Sequence, residues 1–230
     1  MIRNHTKSIR PLYLRAGIIA LVGLLVIVIA SATLPAFLAV SAPSGRGVLV
    51  VEAWIPKASL MDAVRVFQSG DYQHLVLAGG PMRANEISSP AVGSYADAAE
   101  VEVKALNVSP DKVIRIPVSP ASHRTFATAV AVRRWLATSQ PSAKSVDVFT
   151  AGVHARKSWI LFRYALGDGY RVGVIAGPEH SYDSHLWIFS TRGVRIVCRN
   201  VVGYIYFKTA VLLDGHGWNV LTEKSREKQR

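Results

Sequence analysis

The feature that most constrains the fold is an alternation between two kinds of segment beyond residue 46. Short runs that are apolar at nearly every position alternate with segments whose apolar residues recur at helical spacing. Strands that are apolar on both faces belong in a parallel sheet covered by helices on both sides. The predicted strands are residues 47–54, 74–80, 112–118, 145–151 and 171–177. The pattern therefore predicts an α/β fold with a parallel sheet of about five strands and helices on both faces.

An uncharged apolar run, residues 16–40, precedes this pattern and is long enough to cross a bilayer, for which about 20 residues suffice. Four basic residues before it predict a cytoplasmic amino terminus and an exported carboxyl-terminal domain; they are Arg3, Lys7, Arg10 and Arg15. A cleaved signal peptide is the alternative, but its apolar core usually has only ~7–15 residues. We therefore predict one uncleaved transmembrane helix and a single-pass protein of the plasma membrane.

The chain divides into five predicted parts. These are a cytoplasmic basic segment (1–15), the transmembrane helix (16–40), a linker (41–46), the α/β domain (47–213) and a charged tail (214–230). An amphipathic helix closes the domain, and Arg195, Arg199 and Lys208 argue against its being a second span. Cys198, the only cysteine, excludes an intramolecular disulfide and is predicted to be buried on the apolar face of that helix. The loop 81–92 is either a lid or an extended surface loop.

The formal net charge is +12, and about +8 remains when the four amino-terminal basic residues are left out. Such a surface favours an anionic partner, which by charge alone could be a phosphate, a nucleic acid or a lipid head group. Export of the domain makes nucleic acid an unexpected partner. The chain lacks the usual phosphate-binding loop, the dinucleotide fingerprint, the nucleophile elbow and any zinc motif. No metal site is predicted, and a cofactor cannot be named from these residues.

Polar residues follow the predicted strands at their carboxyl ends, where ligands bind in open parallel sheets. They are Glu52, Gly79-Gly80, Ser122-His123-Arg124-Thr125, Thr150, Gly152, His154, Arg156, Lys157, Glu179, His180 and Tyr182. Helix amino termini at this edge add partial positive charge and unpaired N–H groups, which also favour an anion. Glu52 and His154 are the candidates for acid/base chemistry. Trp54 and Trp135 are predicted to lie in the core.

Four motifs in this order resemble the YdcF-like domain family, which includes the membrane-anchored SanA-like and ElyC-like envelope proteins. The motifs are "VEAWIPKASL", "LAGGP", "SHRTFATAVAVRRWL" and "FTAGVHARKSWILFRYALG", within a match that covers about residues 47–210. The resemblance implies a Rossmann-like domain and a role in envelope integrity or biogenesis.

Carried over by position, the resemblance implies a pocket formed by Glu52, Gly79, Gly80, Arg124, Thr125, Thr150, His154, Arg156, Lys157 and Ser158. The chain departs from the family pattern at Ala127 and Thr128, where an acidic and an amide side chain are common, and at Asn200, where a glutamate is frequent. These departures argue against any catalysis that needs those side chains.

Three functions follow as hypotheses. The first is a membrane-anchored extracytoplasmic domain that binds a phosphorylated or otherwise anionic envelope metabolite, such as a lipid-linked pyrophosphate, and that could act on it as a hydrolase or transferase. The second is a non-catalytic sensor or scaffold in envelope assembly. The third is a cytoplasmic nucleotide-binding protein, which requires the opposite membrane topology. The residues do not predict an oligomeric state.

Overall fold

A computed structural model of the chain describes residues 10–83, 86–87, 92–120 and 122–213. Residues 1–9, part of the loop 81–92 and the predicted tail at 214–230 lie outside the described residues. The lid hypothesis therefore stays a prediction.

A single five-stranded sheet forms the centre of the domain, and every strand pairs parallel to its neighbour. The strand order is β3-β2-β1-β4-β5, which confirms the predicted α/β, Rossmann-like fold. The strands are β1 (Arg46–Glu52), β2 (Asp71–Gly79), β3 (Val113–Pro117), β4 (Ser145–Ala151) and β5 (Arg171–Gly177). The chain adds β2 and then β3 on one side of β1. It then returns to add β4 and β5 on the other side, so β1 and β4 flank the point where the order reverses.

Helices cover both faces of this sheet. In chain order the helices are α1 (Arg10–Leu38), α2 (Lys57–Ser69), α3 (Tyr95–Lys104), α4 (Arg124–Ser139), α5 (Ala155–Leu166) and α6 (Thr191–Leu213). Helices α2 and α3 cover one face, and α4 and α5 cover the other. Alternate residues of β1 point to opposite faces, so Leu49 and Val51 join one core cluster with α2 and α3, while Val48 and Val50 join another with α4 and α5. The two clusters explain why the strands are apolar at nearly every position.

The amino-terminal helix α1 is long and apolar enough, from Tyr13 to Leu38, to cross a membrane. Its side chains are exposed from Tyr13 to Ala30, as expected of a segment that faces lipid. Among the described residues, the carboxyl-terminal part of α1 contacts the domain, where Leu38 is buried in a cluster with Val153 and Trp187. The helix could therefore serve as a membrane anchor that is packed onto the domain at one end.

The closing helix α6 also has the length and composition of a membrane span. It packs on α5, however, and Arg195, Arg199 and Lys208 would have to enter the hydrocarbon if it crossed a bilayer. We therefore interpret α6 as part of the domain. Its inner face differs from the predicted one: Gly193, Val197 and Asn200 are buried.

Cys198 was predicted to be buried, and this prediction is wrong because the residue is exposed. Val194 and Ile205 are likewise exposed. The helical spacing in this part of the sequence allows two apolar stripes, and packing against α5 selected the one that contains Val197.

The segment 39–45 between α1 and β1 is not a free linker. Ala42 pairs antiparallel with Val174 of β5, and the Ala176 N–H donates to Ser41 Oγ over 2.9 Å. Further along, the N–H groups of Ser44 and Gly45 donate to the buried carboxylate of Asp147. Since residues 41–45 run from the carboxyl end of β5 toward the start of β1, the end of α1 lies beside the carboxyl edge of the sheet.

Candidate functional site

The candidate site lies at the carboxyl ends of β1 and β4, where the strand order reverses and where open α/β sheets bind ligands. Val51 and Phe149 are the last residues at which these two strands pair with each other. Glu52 and Thr150 follow them, and both are buried, with exposed fractions of 1% and 0%. A carboxylate and a hydroxyl are thus held side by side at the centre of this edge.

Glu52 has one satisfied and one unsatisfied carboxylate oxygen. Ser158 Oγ, from the first turns of α5, donates a short hydrogen bond to Glu52 Oε2. Glu52 Oε1 and Thr150 Oγ1 are buried and have no hydrogen-bond partner among the described protein residues. Buried polar atoms are rarely left unpaired because desolvation without a partner costs roughly 1–3 kcal/mol. The two atoms are therefore free to bond a water or a ligand.

His154 lies against this carboxylate, and its ring orientation is set by α6. Its Nδ1 lies 2.9 Å from Asn200 Oδ1, while Asn200 Nδ2 donates to the Ile196 carbonyl over 2.9 Å. Because the amide nitrogen is used by Ile196, Oδ1 faces the imidazole as an acceptor, and His154 Nδ1 carries the proton. The lone pair of the neutral ring is then on Nε2, which lies 3.3 Å from Thr125 Oγ1 and 3.9 Å from Glu52 Oε2.

Burial, reinforced by the neighbouring Lys157 charge, lowers the pKa of His154 to about 4. The Glu52 carboxylate and the Asn200 hydrogen bond act in the opposite direction but do not outweigh burial. His154 is therefore neutral at neutral pH, and its Nε2 is able to accept a proton. A neutral imidazole with its lone pair in a polar pocket has the chemistry of a general base.

Lys157 and Arg199 act on this neutral histidine, and Arg124 joins them at Lys157. Burial lowers the pKa of Lys157 to about 8, Glu52 raises it, and Arg199 and Arg124 lower it further. Lys157 is half-buried, and its ammonium has no hydrogen-bond partner in the described part of the chain. An ammonium held near two guanidinium groups with only Glu52 to balance them favours the binding of an anion.

Arg124 also lines a small cavity beside the cluster. The cavity has a volume of about 140 Å³ and is bordered by Gly80, Pro81, Val118, Ser119, Pro120, Arg124 and Thr128. Sites for drug-sized ligands usually measure ~300–1,000 Å³. The smaller volume here suits a single polar group, such as a phosphate, better than a whole organic ligand.

The structure brings together six of the ten predicted site residues around Glu52 and His154: Glu52, Thr125, Thr150, His154, Lys157 and Ser158. Gly80 and Arg124 lie at the neighbouring cavity. Gly79 has a packing role instead, because a Cβ there would lie 2.9 Å from the Tyr95 Cβ and 3.2 Å from the Ala53 Cβ. It allows α3 to pack closely on the end of β2.

Arg156 contacts α1 rather than the cluster. Its Nε donates to the Phe37 carbonyl, and its guanidinium lies 4.0 Å from the centroid of the Phe37 ring. The residue was predicted as a ligand contact from its position after β4. Its observed contacts instead give it the role of attaching the end of α1 to α5.

The remaining rim residues make contacts of their own. His180 Nε2 lies 2.8 Å from Asp62 Oδ2, and Glu179 accepts hydrogen bonds from Ser181. Gly152 needs its positive φ of 33° to begin the turn that carries His154. Among the described residues, no group of three or more His, Cys, Asp and Glu side chains is arranged to hold a metal ion.

Three residues of the site were not predicted from the sequence. Trp54, expected in the core, is 37% exposed, and its ring packs edge-on against His154 at 4.7 Å between centroids. Arg199 and Asn200 come from α6, which is remote in sequence from every other member of the cluster. A polar residue three positions after the buried Val197 was the available signal for Asn200, because that spacing keeps it on the inner face of the helix.

In comparisons with known proteins, no family model, curated protein or solved structure matches the chain. The resemblance to the YdcF-like family thus stays a prediction that depends on the four motifs quoted above.

Proposed function

We propose that this chain is a membrane-anchored extracytoplasmic domain that binds a phosphorylated, anionic metabolite of the cell envelope. The ligand's phosphate lies among Lys157, Arg124 and Arg199 at the carboxyl ends of β1 and β4. The resemblance to the YdcF-like family supports a role in envelope biogenesis or integrity, and the cationic cluster supports the ligand class.

The observation that carries the proposal is the clustering of Lys157, Arg124 and Arg199, whose charges lower the pKa values of Lys157 and His154. Arg124 and Arg199 lower the pKa of Lys157, and Lys157 and Arg199 lower that of His154. Like charges are held close together only at a cost to stability, unless a bound anion compensates them. A phosphate or pyrophosphate supplies that compensation and also several hydrogen-bond acceptors.

The path of the chain out of α1 supports a lipid-linked ligand. Ser41 and Ala42 hold the end of the anchor beside Ala176 and Val174 of β5, so the ligand-binding edge faces the side from which α1 arrives. An amphiphile whose phosphate lies at the bilayer surface would reach this edge without leaving the membrane, and tethering raises its effective concentration.

Catalysis is a second candidate function, favoured by the neutral state and orientation of His154. With Nδ1 bonded to Asn200, Nε2 is placed to accept a proton from a water or from Thr125 Oγ1 during hydrolysis or transfer of the phosphoryl group. The absence of an acid at Ala127 and of an amide at Thr128 favours the non-catalytic sensor or scaffold.

The proposal is tested by measuring the binding of inorganic pyrophosphate and of farnesyl diphosphate to the detergent-solubilised chain by calorimetry. We expect Lys157→Met to weaken binding about tenfold to a hundredfold, since a hydrogen bond to a charged group is worth about 1.5–3 kcal/mol. Binding by the unmodified chain should also weaken as pH rises through about 8, where Lys157 loses its proton.

Arg134→Met is the matched control, because Arg134 is exposed further along α4 and its loss changes the net charge equally. Equal weakening of binding by both variants would show that net charge alone causes the effect, and it would contradict the proposed site. Release of phosphate from the diphosphate, measured in the same samples, separates the enzyme from the sensor. Release that persists in a His154→Ala, Arg124→Ala double variant would count against the enzyme.

A further inference from the structure

A short turn beside the anchor exposes three large apolar side chains. The turn of 3-10 helix Trp187–Phe189 follows Leu186 and leads into α6. Leu186 is 55% exposed, Ile188 37% and Phe189 82%. Large apolar side chains that are clustered at a protein surface usually mark a contact with a partner or a membrane.

The depth of this turn relative to the membrane follows from its contact with α1. Trp187 Nε1 donates to the Ser31 carbonyl over 2.8 Å. If the hydrocarbon begins after Arg15, the ~20 residues that cross it end near Pro35. Ser31 then lies about four residues, or roughly 6 Å along the helix axis, inside that boundary. The turn is thus at the level where the acyl chains meet the head groups, the region in which tryptophan is enriched in membrane proteins.

The direction of α6 supports this position of the turn relative to α1. Tyr204, further along α6, packs against Phe37, which is closer to the outer end of α1, at 5.4 Å between ring centroids. The contact of Trp187 with Ser31 therefore lies nearer the middle of α1 than the contact of Tyr204 with Phe37. The exposed apolar turn points toward the bilayer, and the remainder of α6 leads away from it.

The charges beside the turn suit an anionic lipid surface. Arg192 and Arg195 are exposed in the first turns of α6, and the helix contains no acidic residue. Asp183, the carboxylate that precedes the turn in sequence, accepts hydrogen bonds from the N–H groups of His185 and Leu186 and so stabilises the turn itself. Basic residues next to an exposed apolar cluster are the usual composition of an interfacial membrane contact.

We propose that Leu186, Ile188 and Phe189 insert into the lipid interface on the side where α1 emerges, with Arg192 and Arg195 on lipid phosphates. This docking surface is a second attachment to the membrane, and the inference depends on the proposed role of α1 as an anchor. It holds the carboxyl edge of the sheet against the head groups and does not depend on which side of the membrane the domain occupies.

The test uses the full chain, with Cys198→Ser, reconstituted into vesicles of phosphatidylcholine and phosphatidylglycerol. A nitroxide label is attached to Phe189→Cys and, as control, to Ser142→Cys, an exposed position beyond the opposite edge of the sheet. We expect the label at position 189 to be relaxed more by oxygen, which concentrates in lipid, than by a water-soluble nickel chelate. The label at position 142 should show the reverse order.

Two charge variants test the contribution of the lipid phosphates. Omission of phosphatidylglycerol should increase the nickel accessibility of the label at position 189. An Arg192→Gln, Arg195→Gln double variant should lose this dependence on phosphatidylglycerol. Lys112→Gln with Arg134→Gln, which changes the net charge equally at exposed positions elsewhere, should retain it.

Extraction with alkaline carbonate distinguishes the failure of docking from failure of the anchor. If the chain stays in the vesicles while the labels at positions 189 and 142 are equally accessible to nickel, docking is overturned and the anchor stands. If carbonate releases the chain, the anchor fails and the docking surface fails with it. Loss of pyrophosphate binding in Lys157→Met with an unchanged signal at position 189 leaves the docking supported.

Discussion

At the scale of single residues, the site combines groups whose ionisation depends on one another. His154 is mostly buried, with 14% of its side chain exposed, and it is neutral because burial and Lys157 disfavour its protonated form. Asn200 then determines which nitrogen carries the proton. The reactivity of the imidazole is thus set by α6 and by the neighbouring cations rather than by the local sequence around residue 154.

The lowered pKa of His154 makes a prediction about stability and pH. Because the folded pKa is about 4 and the ordinary value for histidine is 6.5, the unfolded chain binds a proton between these values and the folded chain does not. The free energy of unfolding should therefore decrease as pH falls from about 6.5 to about 4, by at most about 3 kcal/mol. Denaturant unfolding in detergent at a series of pH values measures this slope.

His154→Gln should remove most of that slope, because glutamine does not titrate. His185→Gln is the control, since His185 is exposed and its loss should leave the slope unchanged. A slope of the same size in His154→Gln and in the unmodified chain would show that other groups cause the pH dependence.

At the scale of secondary-structure elements, the segment 41–45 connects α1 to the sheet through hydrogen bonds. Asp147 holds this segment in place. Its carboxylate accepts hydrogen bonds from Ser44 N, Gly45 N and the Tyr72 hydroxyl, at 2.9, 2.8 and 2.7 Å. Burial, together with the hydrogen bond to Asp147, raises the pKa of Tyr72. A charged residue in the middle of an apolar strand is explained here by the segment that crosses it.

Gly173 on β5 makes the close approach of this segment possible. A Cβ at position 173 would overlap Asp147 Oδ1 and lie 2.8 Å from the Ala42 carbonyl oxygen. We expect Gly173→Ala to lower the free energy of unfolding by about 1–3 kcal/mol, as other overpacked sites do. It should also increase protease cleavage within residues 41–45, because the segment is displaced.

Gly169→Ala is the matched control, because a Cβ at position 169 has no neighbour within 4 Å. Its effect on the free energy of unfolding should stay within about 0.5 kcal/mol. Chemical denaturation and limited proteolysis measure both variants. Equal stability of the two would contradict the packing of the segment on β5.

At the scale of the whole molecule, the proposed function requires the domain to lie outside the cytoplasm. Four basic residues precede the apolar run, which supports a cytoplasmic amino terminus by the positive-inside rule. The cytoplasmic nucleotide-binding alternative needs the reverse orientation. Topology therefore distinguishes the two functions without knowledge of the ligand.

The topology prediction is tested with single cysteines in the Cys198→Ser chain, expressed in a bacterial host. A membrane-impermeant maleimide added to intact spheroplasts should label Ser142→Cys, which is exposed on the domain. Ser8→Cys, in the basic segment before the apolar run, should be labelled only after lysis. The reverse pattern would contradict the extracytoplasmic location and favour the cytoplasmic alternative.

The sequence by itself determined the kinds of element and the edge at which the site forms. The predicted bounds of β4 (145–151) and β5 (171–177) agree with the structure, because periodicity of apolar residues is a local property that each segment displays alone. The placement of Glu52, Thr150 and His154 at one edge followed from the rule that parallel strands end together.

Only the tertiary structure decided which side chains meet within that edge. Arg156 and Lys157 are adjacent in sequence, yet one contacts Phe37, 119 residues away, and the other faces Glu52. Asn200 reaches His154 only because α6 packs on α5. Such contacts depend on how distant segments are arranged in space, and the local pattern of residues carries no information about that arrangement.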